Sequence, residues 1–150
     1  MKLWLAVAVI AVAALTATAE QVQAFPSTPG FFRTPSGNIQ CYGSGSSGFV
    51  QCGIKSGFKP RPPRKGPTCT FPDRIGLNAA GRSRLGPSIC PGEDGGDSGP
   101  YAPDSVSRVL GYGKTWSGGG IRCTSALTGL TCRNKSGHGF FLSRARWRTF

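Results

Sequence analysis

Apolar residues are spread unevenly along the chain. Residues 3–15 are apolar without interruption, whereas beyond them apolar runs are short and many apolar positions recur at a spacing of two. A spacing of two points to strands, because successive side chains of a strand face opposite sides. The clearest alternation occurs twice. Gly37-Asn38-Ile39-Gln40-Cys41, a Gly/Ser stretch and Gly48-Phe49-Val50-Gln51-Cys52 are echoed by Gly119-Gly120-Ile121-Arg122-Cys123 and Gly129-Leu130-Thr131-Cys132. Both copies read Gly-x-Ile-x-Cys, a turn, then Gly-apolar and a second Cys, and each predicts a β-hairpin. Residues 106–112 alternate and predict a strand leading through Trp116 into the second hairpin. Residues 140–150 predict a closing strand. Asn78-Ala79-Ala80-Gly81, inside residues 75–85, predicts one short helical turn. Residues 55–67 hold four prolines and predict a loop or extended polyproline segment; residues 91–103 predict a long flexible loop. The fold class is therefore mainly all-β: a small antiparallel sheet, sandwich or barrel built on two similar hairpins with long Gly/Pro loops.

The first apolar run has a different use. It follows Lys2, and its thirteen residues are short for a spanning helix, which needs about 20. Ala17-Thr18-Ala19 behind it fits the small-x-small pattern of a signal-peptidase site, with Val22-Gln23-Ala24 as an alternative. Residues 1–19 are read as a cleaved leader, 20–30 as a flexible N-terminal segment and 31–150 as one β domain. The compartment is secreted or periplasmic, with no transmembrane span in the mature form.

Export changes the meaning of the six cysteines, because an even number in an oxidising compartment implies a disulfide framework. Cysteines facing each other across non-hydrogen-bonded hairpin positions lie within bridging distance. That pairs Cys41 with Cys52 and Cys123 with Cys132, leaving Cys69 for Cys90; a swap between the two hairpins is the rival. Such bridges matter in a chain with 23 glycines and 12 prolines, since each adds about 2–4 kcal/mol. Zinc is not expected, because no C-x-x-C is present and there is one histidine.

Charge narrows the partner. Without the leader, 17 basic and 6 acidic residues leave a net charge of +11. Like charges would repel a cationic enzyme, so an inhibitor of one is disfavoured. The basic residues gather in Lys55, Lys59, Arg61, Arg64 and Lys65 of the proline-rich loop and in Arg144, Arg146 and Arg148 near the end. On one continuous strand those three arginines would form a stripe on a single face. Arginine beside aromatic residues suits phosphate or carboxylate polymers.

Other motifs are weaker. Gly96-Asp97-Ser98-Gly99-Pro100 approaches the setting of a chymotrypsin-like nucleophile, but no histidine precedes it and the chain is too short for the double barrel. Gly43-Ser44-Gly45-Ser46-Ser47-Gly48 matches G-x-G-x-x-G, yet lies between two hairpin cysteines and reads as a turn. His138, between two glycines, is a candidate general base with Asp73, Glu93, Asp94 or Asp97 as orienter. Glu93, Asp94 and Asp97 could gather calcium, although their spacing is not that of an EF-hand. No metal or cofactor is expected.

Three strings carry a resemblance: Phe32-Arg33-Thr34-Pro35-Ser36-Gly37-Asn38-Ile39-Gln40-Cys41, Tyr112-Gly113-Lys114-Thr115-Trp116 leading to Gly120-Ile121-Arg122-Cys123-Thr124-Ser125, and Gly129-Leu130-Thr131-Cys132-Arg133-Asn134 with Gly137-His138-Gly139-Phe140-Phe141-Leu142-Ser143-Arg144. The chain resembles an uncharacterised family of small secreted bacterial proteins, a domain of unknown function. The resemblance implies export, one domain and paired cysteines, and brings no activity with it. The expectation is a non-enzymatic module contacting an anionic polymer such as polysaccharide, lipid headgroups or nucleic acid. A small hydrolase using His138 and a loop carboxylate, or a purely structural envelope protein, are the alternatives.

Overall fold

A computed structural model describes residues 30–87, 89–93 and 99–150. The expected leader and nearly all of the segment behind it lie outside the described residues. The chain runs β1 (Gly30–Arg33), β2 (Ile39–Ser44), β3 (Phe49–Ile54), β4 (Arg74–Asn78), β5 (Arg84–Leu85), β6 (Arg108–Val109), β7 (Thr115–Gly118), β8 (Ile121–Ala126), β9 (Gly129–Asn134), β10 (Gly139–Leu142) and β11 (Trp147–Thr149). Sheet A has the order β5-β4-β3-β2-β1-β6, and sheet B the order β11-β10-β9-β8-β7. All pairings are antiparallel except β6 on β1. Among the described residues there is no helix, hence none long and apolar enough to cross a membrane. The two sheets form an open sandwich, and neither closes into a barrel.

The repeated sequence pattern becomes a repeated structural row. Across sheet A, Phe32, Cys41, Cys52, Ile75 and Leu85 stand side by side. Across sheet B the matching row is Trp116, Cys123, Cys132 and Phe140. Each row is aromatic, cystine, apolar, and the two face each other in one core. Phe32 stacks on Trp116 with ring centroids 5.4 Å apart, while β4 packs on β9 and β10. Gly43 leaves room for the Trp116 ring, since a Cβ there would lie 2.4 Å from it. The β2–β3 and β7–β8 turns approach so closely that a Cβ on Gly119 would stand 2.3 Å from the Gly48 Cα.

The cysteines pair as the hairpin geometry requires. Cys41–Cys52 and Cys123–Cys132 bridge directly opposed positions with Cα atoms 4.0 Å apart, and Cys69–Cys90 ties the loop after β3 to the segment after β5. No swap between hairpins occurs.

Four local expectations need correction. Residues 75–85 form no helical turn: Ile75 and Leu77 alternate into the core on β4, and Ala79 N–H donates to Gly48 O at 2.8 Å, drawing the chain onto the first hairpin. The 106–112 stretch contributes only the two-residue β6. Residues 140–150 are two strands rather than one, because Ser143 N–H donates to Arg146 O (2.9 Å) and its Oγ accepts from Arg146 N–H (3.0 Å), closing a turn. Finally, the described end of the 91–103 loop is held down. Residues 99–107 lie as a strap on the outer side of sheet A: the Gln40 amide donates to Ala102 O (3.3 Å) and accepts from Ala102 N–H (3.4 Å), while Tyr101 covers Gly53 and donates to Asp73 O (3.1 Å). The Arg33 guanidinium donates to Asp104 O and Ser107 O. As a result Gln40, on the outward side of β2, is only 1% exposed and Arg74 only 8%.

Candidate polyanion interface

Strand alternation assigns the outer side of sheet B. Ile121, Cys123 and Ser125 point inward on β8, so Arg122 and Thr124 point out; Leu130, Cys132 and Asn134 point inward on β9, so Thr131 and Arg133 point out. One outward row is therefore Thr115, Thr124, Thr131, Phe141 and Arg148, with the hydroxyls of Thr115 and Thr124 2.9 Å apart. The next is Ser117, Arg122, Arg133 and Gly139, extended by Phe150, whose backbone exchanges two hydrogen bonds with Gly139 (2.9 and 3.0 Å). A Cβ on Gly139 would sit 2.6 Å from the Phe150 ring, so this ring lies over the glycine and reaches Arg133.

The rings hold the guanidinium groups. Arg133 Cζ lies 4.6 Å from the Phe150 centroid and Arg148 Cζ 5.5 Å from it. Arg146 and Arg148 lie 5.7 and 5.9 Å from the Phe141 centroid. Guanidinium over an aromatic face is attracted by the ring quadrupole, which limits the freedom of these three N–H bearing planes without neutralising them.

No acidic side chain is supplied from this half of the chain. Residues 105–150 contain eight Lys and Arg and not one Asp or Glu. The described side-chain carboxylates all belong to the sheet A half, where each has a basic partner: Asp73 with Arg74 at 2.9 Å, Glu93 with Lys65, and Asp104 with Arg33 at 3.7 Å. The hydrogen bond from Lys65 holds the Glu93 carboxyl below the usual carboxylate range, helped by the Cys90 amide.

The residues expected to bind polyanion divide into three places. Arg146 and Arg148 belong to the face of sheet B. Arg144 does not: the turn at residues 143–146 carries it to a separate cleft of about 340 Å³, shared with Thr34, Asn38, Tyr112 and Leu127, so no three-arginine stripe exists on a single strand. Arg61 and Arg64 flank Phe71 at 5.1 and 4.9 Å, Lys65 is paired with Glu93, and Lys59 is exposed. The proline-rich loop is nevertheless docked beside β11, because Trp147 Nε1–H donates to Pro60 O (2.8 Å) and Phe58 meets the Trp147 ring edge-on at 5.7 Å.

His138 closes the β9–β10 turn. Its N–H donates to Asn134 Oδ1 (3.0 Å) and its carbonyl accepts from Asn134 N–H (2.9 Å). Asn134 also donates to Asn78 O (2.9 Å) and Gly81 O (2.8 Å), tying this turn to sheet A. Among the described residues no carboxylate lies within ion-pair reach of the His138 ring. Asp94, Asp97 and Ser98 lie outside the described residues.

Arg122, Arg133, Phe141, Phe150 and Asn134 were not singled out by motif. The alternation Ile121-Arg122-Cys123-Thr124 and Leu130-Thr131-Cys132-Arg133 already puts both arginines on the side opposite the cysteines, and that was the available signal. The chain belongs to a family of unknown function (DUF6636), matched over residues 6–150. Neither a curated protein nor a solved structure matches it.

Proposed function

We propose that this chain is an exported, non-enzymatic binding module that lays an anionic polymer across the outer face of sheet B. One observation carries the reading: Arg122, Arg133, Arg146 and Arg148 share an open sheet face whose own half of the chain has no acidic side chain. Three disulfides fit an oxidising compartment. The docked proline-rich loop, with Lys59, Arg61 and Arg64, extends the positive surface past β11. Phe141 and Phe150 already have guanidinium groups on them, so the face offers fixed cations rather than bare rings for stacking bases. An acidic polysaccharide therefore suits it better than single-stranded nucleic acid, which is held largely by base stacking.

The test is retention of the oxidised protein on a sulfated polysaccharide matrix. Binding through ion release falls steeply with salt, so retention at about 50 mM salt should vanish by about 500 mM. Equal retention at both would end the proposal. A hydrolase built on His138 has no observation in its favour, because the described carboxylates proposed as orienters, Asp73 and Glu93, are held by Arg74 and Lys65.

A further inference from the structure

One end of the sheet B face is more than a charged surface. Arg122 and Arg133 are direct cross-strand partners, in the row next to the Cys123–Cys132 bridge. Like charges directly opposite each other destabilise a sheet, and here no Asp or Glu is available within residues 105–150 to relieve them. Both residues line a shallow, largely open depression of about 480 Å³, bordered by Gly118, Gly119 and Gly120 of the β7–β8 turn and by Asn134 and Lys135. Lys135 lies along that turn, since a Cβ on Gly120 would be 3.7 Å from its Cδ and Cε. Arg133 is preset from behind by the Phe150 ring and by its 3.4 Å hydrogen bond to Gly137 O.

We propose that Arg122, Arg133 and Lys135 form an oxyanion clamp that takes one phosphate or sulfate ester group of the bound polymer. Two forked guanidinium groups and one ammonium on one small patch carry more donors than a single carboxylate can accept. That suits the three free oxygens of a tetrahedral ester better than the two of a planar carboxylate. The inference rests on the polymer-binding reading of the face and adds to it the chemistry of the group recognised. It also gives the cross-strand arginine pair a use, because an anion between them turns repulsion into attraction.

The experiment is an NMR titration of the oxidised protein with inorganic phosphate, inorganic sulfate and acetate, at constant ionic strength maintained with chloride. The arginine Nε–H signals and the amides of Gly119 and Gly120 are followed. Phosphate and sulfate should shift Arg122, Arg133 and the two glycines along one saturable curve, with acetate at least about tenfold weaker. Arg122→Gln and Arg133→Gln should each weaken the curve about tenfold, the scale of one lost charge-assisted contact, while Arg144→Gln leaves it unchanged. Equal shifts at Arg144, a response that never saturates, acetate binding as strongly as sulfate, or an Arg122→Gln protein that binds like the parent would each overturn the clamp. If Arg133→Gln loses its fold, Arg122→Gln carries the test, because Arg122 is exposed and no hydrogen bond or ring contact is formed by its side chain among the described residues. Retention on the polysaccharide matrix is measured on the same variants. Salt-dependent retention without saturable phosphate binding overturns the clamp alone, and phosphate binding without retention overturns the polymer reading alone.

Discussion

Sheets A and B present the same row to the core and opposite treatments to the outside. Inside, each contributes an aromatic residue, a cystine and an apolar residue in register, meeting at the Phe32–Trp116 stack. Outside, sheet A is roofed by residues 99–107 through Gln40, Gly53 and Arg33, and the described acidic residues of its half are paired with bases. Sheet B is bare, cationic and propped by Phe141 and Phe150. The difference shows where the two copies of one pattern were free to diverge: inward positions are tied by close packing, outward positions only by what must be met there.

That comparison can be broken from the inside first. Trp116→Ala removes the ring that fills the space over Gly43 and meets Phe32; it should lower stability by about 3–5 kcal/mol in urea unfolding and loosen both sheets together. Loss confined to sheet B in hydrogen exchange would show that the rows do not share one core. Next, replacing either hairpin cystine by two alanines should cost about 2–4 kcal/mol. The two losses should match closely, since the bridges span similar separations of 11 and 9 residues and are equally buried; a large disparity would argue against equivalent rows.

The outer faces should respond differently from each other. Gln40→Ala leaves the Ala102 amide without its partner beneath the strap, for about 1–3 kcal/mol, with faster exchange at Ala102 and unchanged retention on the anionic matrix. Arg148→Gln should do the reverse. Its stability should fall by no more than about 1 kcal/mol, the scale of exposed cation–π contacts, while the slope of log binding constant against log salt becomes shallower, on the scale of the about 0.7–0.9 per anionic contact set by nucleic-acid phosphates. The smallest effect is alkaline. Burial, with the nearby Asp73 charge, raises the Tyr101 phenol above its ordinary value. The neutral form is thus favoured in the folded state, and the strap's contribution is whole below the ordinary tyrosine pKa of about 10. It is lost as pH rises from there through the raised folded value. Exchange at Ala102 should increase over that window while the arginine-borne binding of sheet B persists.

Much of this was legible in the residue order, for identifiable reasons. The hairpins and their bridges could be read because Ile and Cys two apart declare a strand face, and because paired cysteines fix register. The outward arginines of sheet B obey the same rule, but their adjacency emerges only once Cys123 is set opposite Cys132. The turn at residues 143–146 was hidden: Ser-Arg-Ala-Arg contains no glycine or proline, and the Ser143 hydroxyl closes it. Ala79-Ala80 suggested a helical turn by propensity, which the bond from Ala79 to Gly48 overrode. The strap left no local trace, since Gln40 and Ala102 are 62 residues apart.

The placement of the three cystines has one more consequence. Every bridge closes within either residues 41–90 or residues 123–132, so none crosses from one sheet to the other. A single proteolytic nick between Cys90 and Cys123 would therefore yield two covalently separate chains, associated only by the Phe32–Trp116 core, the contacts around it and the polar ties between the sheets. Such a nicked species would run as one particle in native chromatography and fall apart in denaturant without any reducing agent.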